Sequence, residues 1–199
     1  MRNRQERNGE SEGLLLLVKH SLPEIQKKVT ASQWHLSMEG RQHCLLLAEE
    51  LALYAADRLV CSQEPKAVET AEIVGDQLGI PVEVVPGLHE HERRKVPFLS
   101  RQEFEVGAAK FFANSGELVF GEETAEQALE RFSGSIMTVL AQHKGRNLAV
   151  ISHGTVITLF VAQTNRIEPF SFWKSLGLPS LVVLKLPGME LESVVEKIA

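Results

Sequence analysis

The run Leu14-Leu15-Leu16-Leu17-Val18 sets five apolar side chains in succession with no polar residue between them. A strand with one wet face alternates apolar and polar residues, whereas a strand covered on both faces reads as a continuous apolar run. Strands of that kind belong to mostly parallel sheets with helices above and below. The run is too short to cross a bilayer, which takes about 20 apolar residues. It therefore points to a layered α/β arrangement, with His20 just beyond the carboxyl end of the first strand.

The rest of the chain follows the same alternation. Ser37 suits an N-cap for a helix reaching about Leu53, in which Leu45, Ala48, Leu51 and Ala52 recur at helical spacing. Leu59 to Cys61 reads as a short buried strand. Pro65 fits the first turn of the next helix, which carries Ala67, Thr70, Ala71 and Val74 before Gly79 supplies a left-handed stop. Val82 to Val85 makes a third strand and Leu148 to Ile151 a fourth. Thr124-Ala-Glu-Gln127 is a capping box opening a helix to about Gln142 that ends near Gly145, and Gly154 opens another helix. Leu181 to Leu186 and Leu191 to Ile198 flank a Pro187-Gly188 turn as two further β-rich stretches, the second with some helical character. The expected fold is α/β, with a mostly parallel central sheet and helices on both faces.

Between residues 86 and 123 the pattern breaks into a His/Arg-rich loop, a Phe-rich stretch after the capping box Ser100-Arg-Gln-Glu103, and a glycine-bounded loop near Gly116 and Gly121. This reads as an insertion overhanging the site. A chain of 199 residues with 44% hydrophobic content can build one sizeable core, so residues 13–199 are expected to form a single domain. Met1 to Glu12 offers one large apolar side chain, the initiator, and is expected to be a disordered extension.

A formal charge of −5 with scattered basic residues argues against nucleic-acid or anionic-membrane partners. Two cysteines in apolar surroundings, Cys44 and Cys61, read as reduced packing residues rather than a disulfide or thiolate zinc site. With no signal- or transit-peptide pattern, the expectation is a cytoplasmic protein.

Ligands in open α/β sheets gather outside the carboxyl ends of the strands. The first strand delivers Lys19-His20-Ser21 there, the second Ser62 with Lys66 one helical turn later, and the fourth Ser152-His153-Gly154; Leu88-His89-Glu90 follows the third. Each alone is weak, since a histidine beside a strand is usually structural and a lysine near a helix start usually solvated. Two imidazoles, two ammonium groups and a carboxyl converging on one side of a sheet suit a phosphate, as does the positive end of the helix opening at Gly154. The alternate histidines of His89-Glu-His91-Glu-Arg93-Arg94 invite a metal reading, but without a third ligand a solvated or substrate-facing loop is expected.

From Leu14 to Leu186 the chain resembles the histidine phosphatase superfamily, in its phosphoglycerate-mutase-like branch. That family carries Arg-His-Gly after the first strand, then Ser-Pro…Arg-Ala…Thr-Ala, a Leu-x-Glu acid and a late Ser-His-Gly. The counterparts are Lys19-His20-Ser21, Ser62-Gln-Glu-Pro-Lys66-Ala67…Thr70-Ala71, Leu88-His-Glu90 and Ser152-His153-Gly154. Both phosphate-gripping arginines of the family are lysines here, Ser21 replaces a glycine, and Gln26 stands where many relatives have asparagine.

The resemblance implies a phosphoglycerate mutase-like fold and a metal-independent phosphatase acting on a small phosphorylated substrate without cofactor. His20 would be the nucleophile; Lys19, Lys66 and His153 would hold the phosphoryl oxygens; Glu90 would protonate the leaving oxygen and then activate water. That mechanism needs a neutral His20 and a protonated Glu90, which burial near the insertion favours. The alternatives are a phosphoglycerate-type mutase using the same His20, and a catalytically eroded phosphate-ligand binder. Substrate specificity would lie in the insertion, where Phe98, Phe104, Phe111, Phe112 and Phe120 serve either ligand or core. The sequence leaves oligomeric state open.

Overall fold

Strand β1, Leu14–Lys19, runs through the middle of the sheet, and its four residues from Leu15 to Val18 are fully buried. A computed structural model describes residues 13–199; the expected N-terminal extension lies outside the described residues. Six strands in the order β3-β2-β4-β1-β5-β6 form the sheet, with β2 at Arg58–Cys61, β3 at Val82–Val84, β4 at Leu148–Ser152, β5 at Ser180–Lys185 and β6 at Glu190–Val195. The first four in that order are mutually parallel, while β5 runs antiparallel to β1, and β6 to β5.

The unbroken apolar runs are explained by cover on both faces. Leu15 and Leu17 of β1 join Val150, Val182 and Leu184 in a core under α4 (Ala125–Gln142) and α5 (Gly154–Asn165), where Phe132, Ile136 and Phe160 pack. Leu16 and Val18 face the other way, with Ala149, Ile151 and Val183, into a core closed by α1 (Met38–Ala52) and α2 (Pro65–Leu78). Period-two alternation thus exists in space as two apolar layers. Cys44 and Cys61 are free thiols buried in the second layer.

Local signals act where the sequence puts them. Ser37 caps α1 by accepting from the Gly40 N–H, and Gly79 ends α2 in the left-handed region at φ 69°. The boxes at Ser100 and Thr124 are both formed, the first opening α3, Arg101–Ala113, within the expected insertion. The last stretch is strand without helix, but β6 covers only Glu190–Val195, and Ile198 beyond it tucks into the core. A short helix, α6 at Pro169–Ser175, was not expected; Glu168 caps it by accepting from the Phe170 and Ser171 N–H groups, with Pro169 in its first turn. Seven residues are too few to show apolar periodicity. Among the described residues no helix is long and apolar enough to cross a membrane.

Sheet register sets the site. Lys19 lies opposite Ser152 across the β1–β4 pairing and Cys61 opposite Ile151 across β2–β4, so three parallel strands end level with one another.

Candidate active site

The His20 N–H bonds to the Ser152 carbonyl at 2.9 Å, continuing the β1–β4 ladder by one residue and fixing where the imidazole leaves the sheet. Its Nδ1 lies 2.7 Å from the Ser21 carbonyl oxygen. A carbonyl only accepts, so Nδ1 carries the proton and Nε2 keeps its lone pair. Burial holds the His20 pKa well below its usual value, helped by the charges of Lys66, His153 and Lys19 and opposed by the Ser21 carbonyl. The nucleophile candidate is therefore neutral at neutral pH. His153, the N-cap residue of α5, meets it edge to face at 5.1 Å between ring centroids, and its Nε2 is 2.8 Å from the Ser62 hydroxyl. Its buried Nδ1 has no protein partner. Burial, reinforced by Lys66, keeps this ring neutral as well, against the pull of Glu90.

Lys19 reaches past the start of α5 close to Gly154, where a Cβ would lie 3.0 Å from the lysine Cε, a tight contact. Its ammonium donates to the Leu176 carbonyl at 2.6 Å. Burial lowers its pKa to about 8, with Glu90 opposing. Lys66, on the first turn of α2 and 5% exposed, donates to the Ala31 carbonyl at 2.7 Å and to the carboxylate of Glu64. Neither lysine stands free.

Glu90 is held by backbone. Its two oxygens accept from the His91 N–H at 2.8 Å and the Thr155 N–H at 3.2 Å. One N–H of the α5 start expected to face an anionic ligand is thus turned to Glu90. The surroundings of Glu90 run against the protonated state expected from burial: desolvation pushes its pKa up, but His153, Arg93 and the His91 N–H together pull it below the ordinary carboxylate value, against Glu64.

The segment carrying Glu90 is clamped from α4. Arg131 donates to the Gly87 carbonyl at 2.7 Å, the His89 carbonyl at 2.9 Å and the Glu90 carbonyl at 3.3 Å, while pairing at 2.5 Å with the buried Glu123. Glu123 in turn accepts from the Glu92 N–H at 3.0 Å.

Lys19, His20, Glu64, Lys66, Glu90 and His153 line a cavity of about 640 Å³, bordered also by Trp34, Phe98, Phe104 and Trp173. Arg93 enters it with its guanidinium over the Phe104 ring at 4.5 Å and an Nε that has no hydrogen-bond partner. All five residues assigned from the sequence, Lys19, His20, Lys66, Glu90 and His153, border this one cavity. The sequence reading left out Glu64, Arg93 and Arg131. Glu64 is the N-cap of α2 and Arg131 a mid-helix arginine, positions at which charged residues are commonplace; only the clustered Arg93 carried a signal.

Other candidates disperse. The hydroxyls of Ser21 and Ser152 bond to the Gly40 and Leu88 carbonyls, each at 2.7 Å. Gln26 is exposed, and its carbonyl accepts from the Trp34 indole. His91 turns away from His89 to sit between Phe111 and Phe120, with Nε2 on the Glu123 carbonyl. Among the described residues no three His, Cys, Asp or Glu side chains are grouped to hold a metal ion. Of the phenylalanines, Phe98 and Phe104 face the cavity and Phe111 is core.

Comparison with known proteins finds the same fold elsewhere. Among solved structures, YhfR of Bacillus stearothermophilus is similar at a TM-score of 0.74 and 20% identity, covering 92% of this chain and 96% of its own. A phosphoserine phosphatase from Entamoeba histolytica, solved with phosphoserine, gives 0.73 and 17% over 92% and 96%. A mycobacterial glucosyl-3-phosphoglycerate phosphatase gives 0.71 and 18% over 87% and 90%. These likenesses show a shared fold. No curated protein sequence matches the chain. The family model of the histidine phosphatase superfamily (branch 1) matches residues 15–195, and the chain belongs to that superfamily.

Proposed function

We propose that the protein is a phosphatase that hydrolyses a small phosphate monoester through a phosphohistidine at His20. The observation that carries this reading is the Ser21 carbonyl on Nδ1, which leaves a neutral imidazole with its Nε2 lone pair beside two lysines and a carboxyl group. Nε2 attacks phosphorus while the bond to the ester oxygen breaks, and Glu90 gives that oxygen a proton. Water then attacks the phosphohistidine, Glu90 takes a proton from it, and the P–N bond breaks to release phosphate. Lys19 and Lys66 stabilise the charge on the phosphoryl oxygens, and the neutral His153 ring donates an N–H to one of them. Glu90 starts as a carboxylate; an arriving phosphoryl dianion disfavours a second negative charge beside it and raises its pKa, so substrate and acid proton enter together.

The aromatic wall and Arg93 face the leaving group. The second reading, a non-catalytic phosphate binder, rests on Lys19 and Lys66 standing where the family carries arginines. Hydrolysis of an aryl phosphate, with and without a chelator, separates the two. We expect turnover that survives chelation and is abolished in His20→Ala. Oxyanion binding without turnover would favour the binder, and turnover that requires a divalent ion would remove the histidine mechanism.

A further inference from the structure

Glu64 places a further carboxyl group in the cavity, against one of its two lysines. It is 8% exposed, and one oxygen pairs with the Lys66 ammonium. The other accepts from the Glu90 N–H at 3.0 Å and lies 3.7 Å from Nε2 of His153. The charged and titratable groups about it are Lys66 on α2, His153 at the start of α5, and His89, Glu90 and Arg93 on the segment after β3. An ammonium has three N–H donors. Two of those on Lys66 are engaged, by Ala31 and Glu64, so an incoming phosphoryl group finds one free and a negative charge on the far side.

We propose that Glu64 is a built-in competitor for Lys66, weakening the hold of the site on oxyanions and speeding the departure of phosphate. The inference rests on the phosphate-site reading of the cavity. Two effects of Glu64 oppose each other. By ordering Lys66 it helps an anion bind, but that benefit cannot exceed a lysine's rotamer freedom, about thirtyfold. The Ala31 carbonyl and the surrounding walls would order the side chain without Glu64, so the benefit is smaller still. Across the ammonium, at roughly 6 Å, repulsion between unit charges near a protein surface amounts to on the order of a hundredfold, and a phosphoryl dianion carries two. Repulsion wins. In turnover Lys66 leaves Glu64 for the phosphoryl oxygens, and after hydrolysis Glu64 recaptures it as phosphate departs.

The test is calorimetric titration with sulfate, which remains a dianion across the working pH range, at fixed ionic strength and near-neutral pH. Glu64→Gln keeps the size of the side chain and removes its charge. It is expected to bind sulfate at least ~tenfold more tightly than wild type, or ~1.4 kcal/mol, and to be inhibited by inorganic phosphate at correspondingly lower concentration. Glu64→Leu, checked for a cooperative melt, reads the same quantity if the glutamine variant does not fold. Equal or weaker sulfate binding in the folded variant overturns the proposal, since a merely structural or ordering role predicts that sign. A wild-type protein that binds no sulfate and turns over no phosphate ester contradicts the site reading itself; sulfate bound equally by both proteins contradicts only the role of Glu64.

Discussion

Lysine in place of a guanidinium is the residue-scale feature that most changes how this site handles charge. A guanidinium grips two oxygens in a planar fork and stays charged, whereas an ammonium is a point charge that burial can neutralise. Lys19 is in that position, its pKa brought down to about 8 by burial. The charged form dominates below that pH and is lost above it, so oxyanion affinity should hold through neutral pH and fall as the pH rises through about 8. The inhibition constant of vanadate, corrected for its speciation, measures this directly. Lys19→Arg with Lys66→Arg is expected to flatten the profile, and superimposable profiles would remove Lys19 from the anion site.

At the scale of elements, the site depends on a segment without regular structure held by a helix. Arg131 on α4 binds the carbonyls of Gly87, His89 and Glu90, and Glu123 pins Glu92. Arg131→Met should keep most of the packing but free those carbonyls and leave the buried Glu123 unpaired. We expect a loss of roughly 2 kcal/mol in stability, below the ~3–5 kcal/mol of a fully buried pair because Arg131 keeps 20% of its side-chain surface. Chemical denaturation measures it. Turnover should fall more for esters with poor leaving groups, which depend on Glu90, than for aryl phosphates; an equal fall would detach Arg131 from the acid. This clamp was invisible in the sequence, because Arg131 and Glu90 are joined only by folding. What was legible were elements with local causes: the buried run of β1, the caps at Ser37, Ser100 and Thr124, and the left-handed stop at Gly79. His20, Glu90 and His153 were legible because each follows a strand. Glu64 was not, since its weight comes from the charges around it rather than from its own position. The protonation of Glu90 was misjudged because burial was weighed without Arg93 and the His91 N–H.

At the scale of the molecule, two apolar layers lock the sheet from both faces, and level strand ends set the rings of His20 and His153 5.1 Å apart. Rigid placement of this kind is what a two-step transfer through one imidazole requires, since the same nitrogen must receive and surrender the phosphoryl group. The account stands on the covalent step. Its most direct test mixes the protein with an aryl phosphate, quenches in alkali, where a P–N bond survives, and maps the peptides by mass spectrometry. A phosphoryl group on His20 that appears during turnover, decays as substrate is exhausted and is absent in His20→Ala is the predicted result. Undiminished turnover with no phosphoryl-enzyme at any quench time, or turnover retained by His20→Ala, would contradict it.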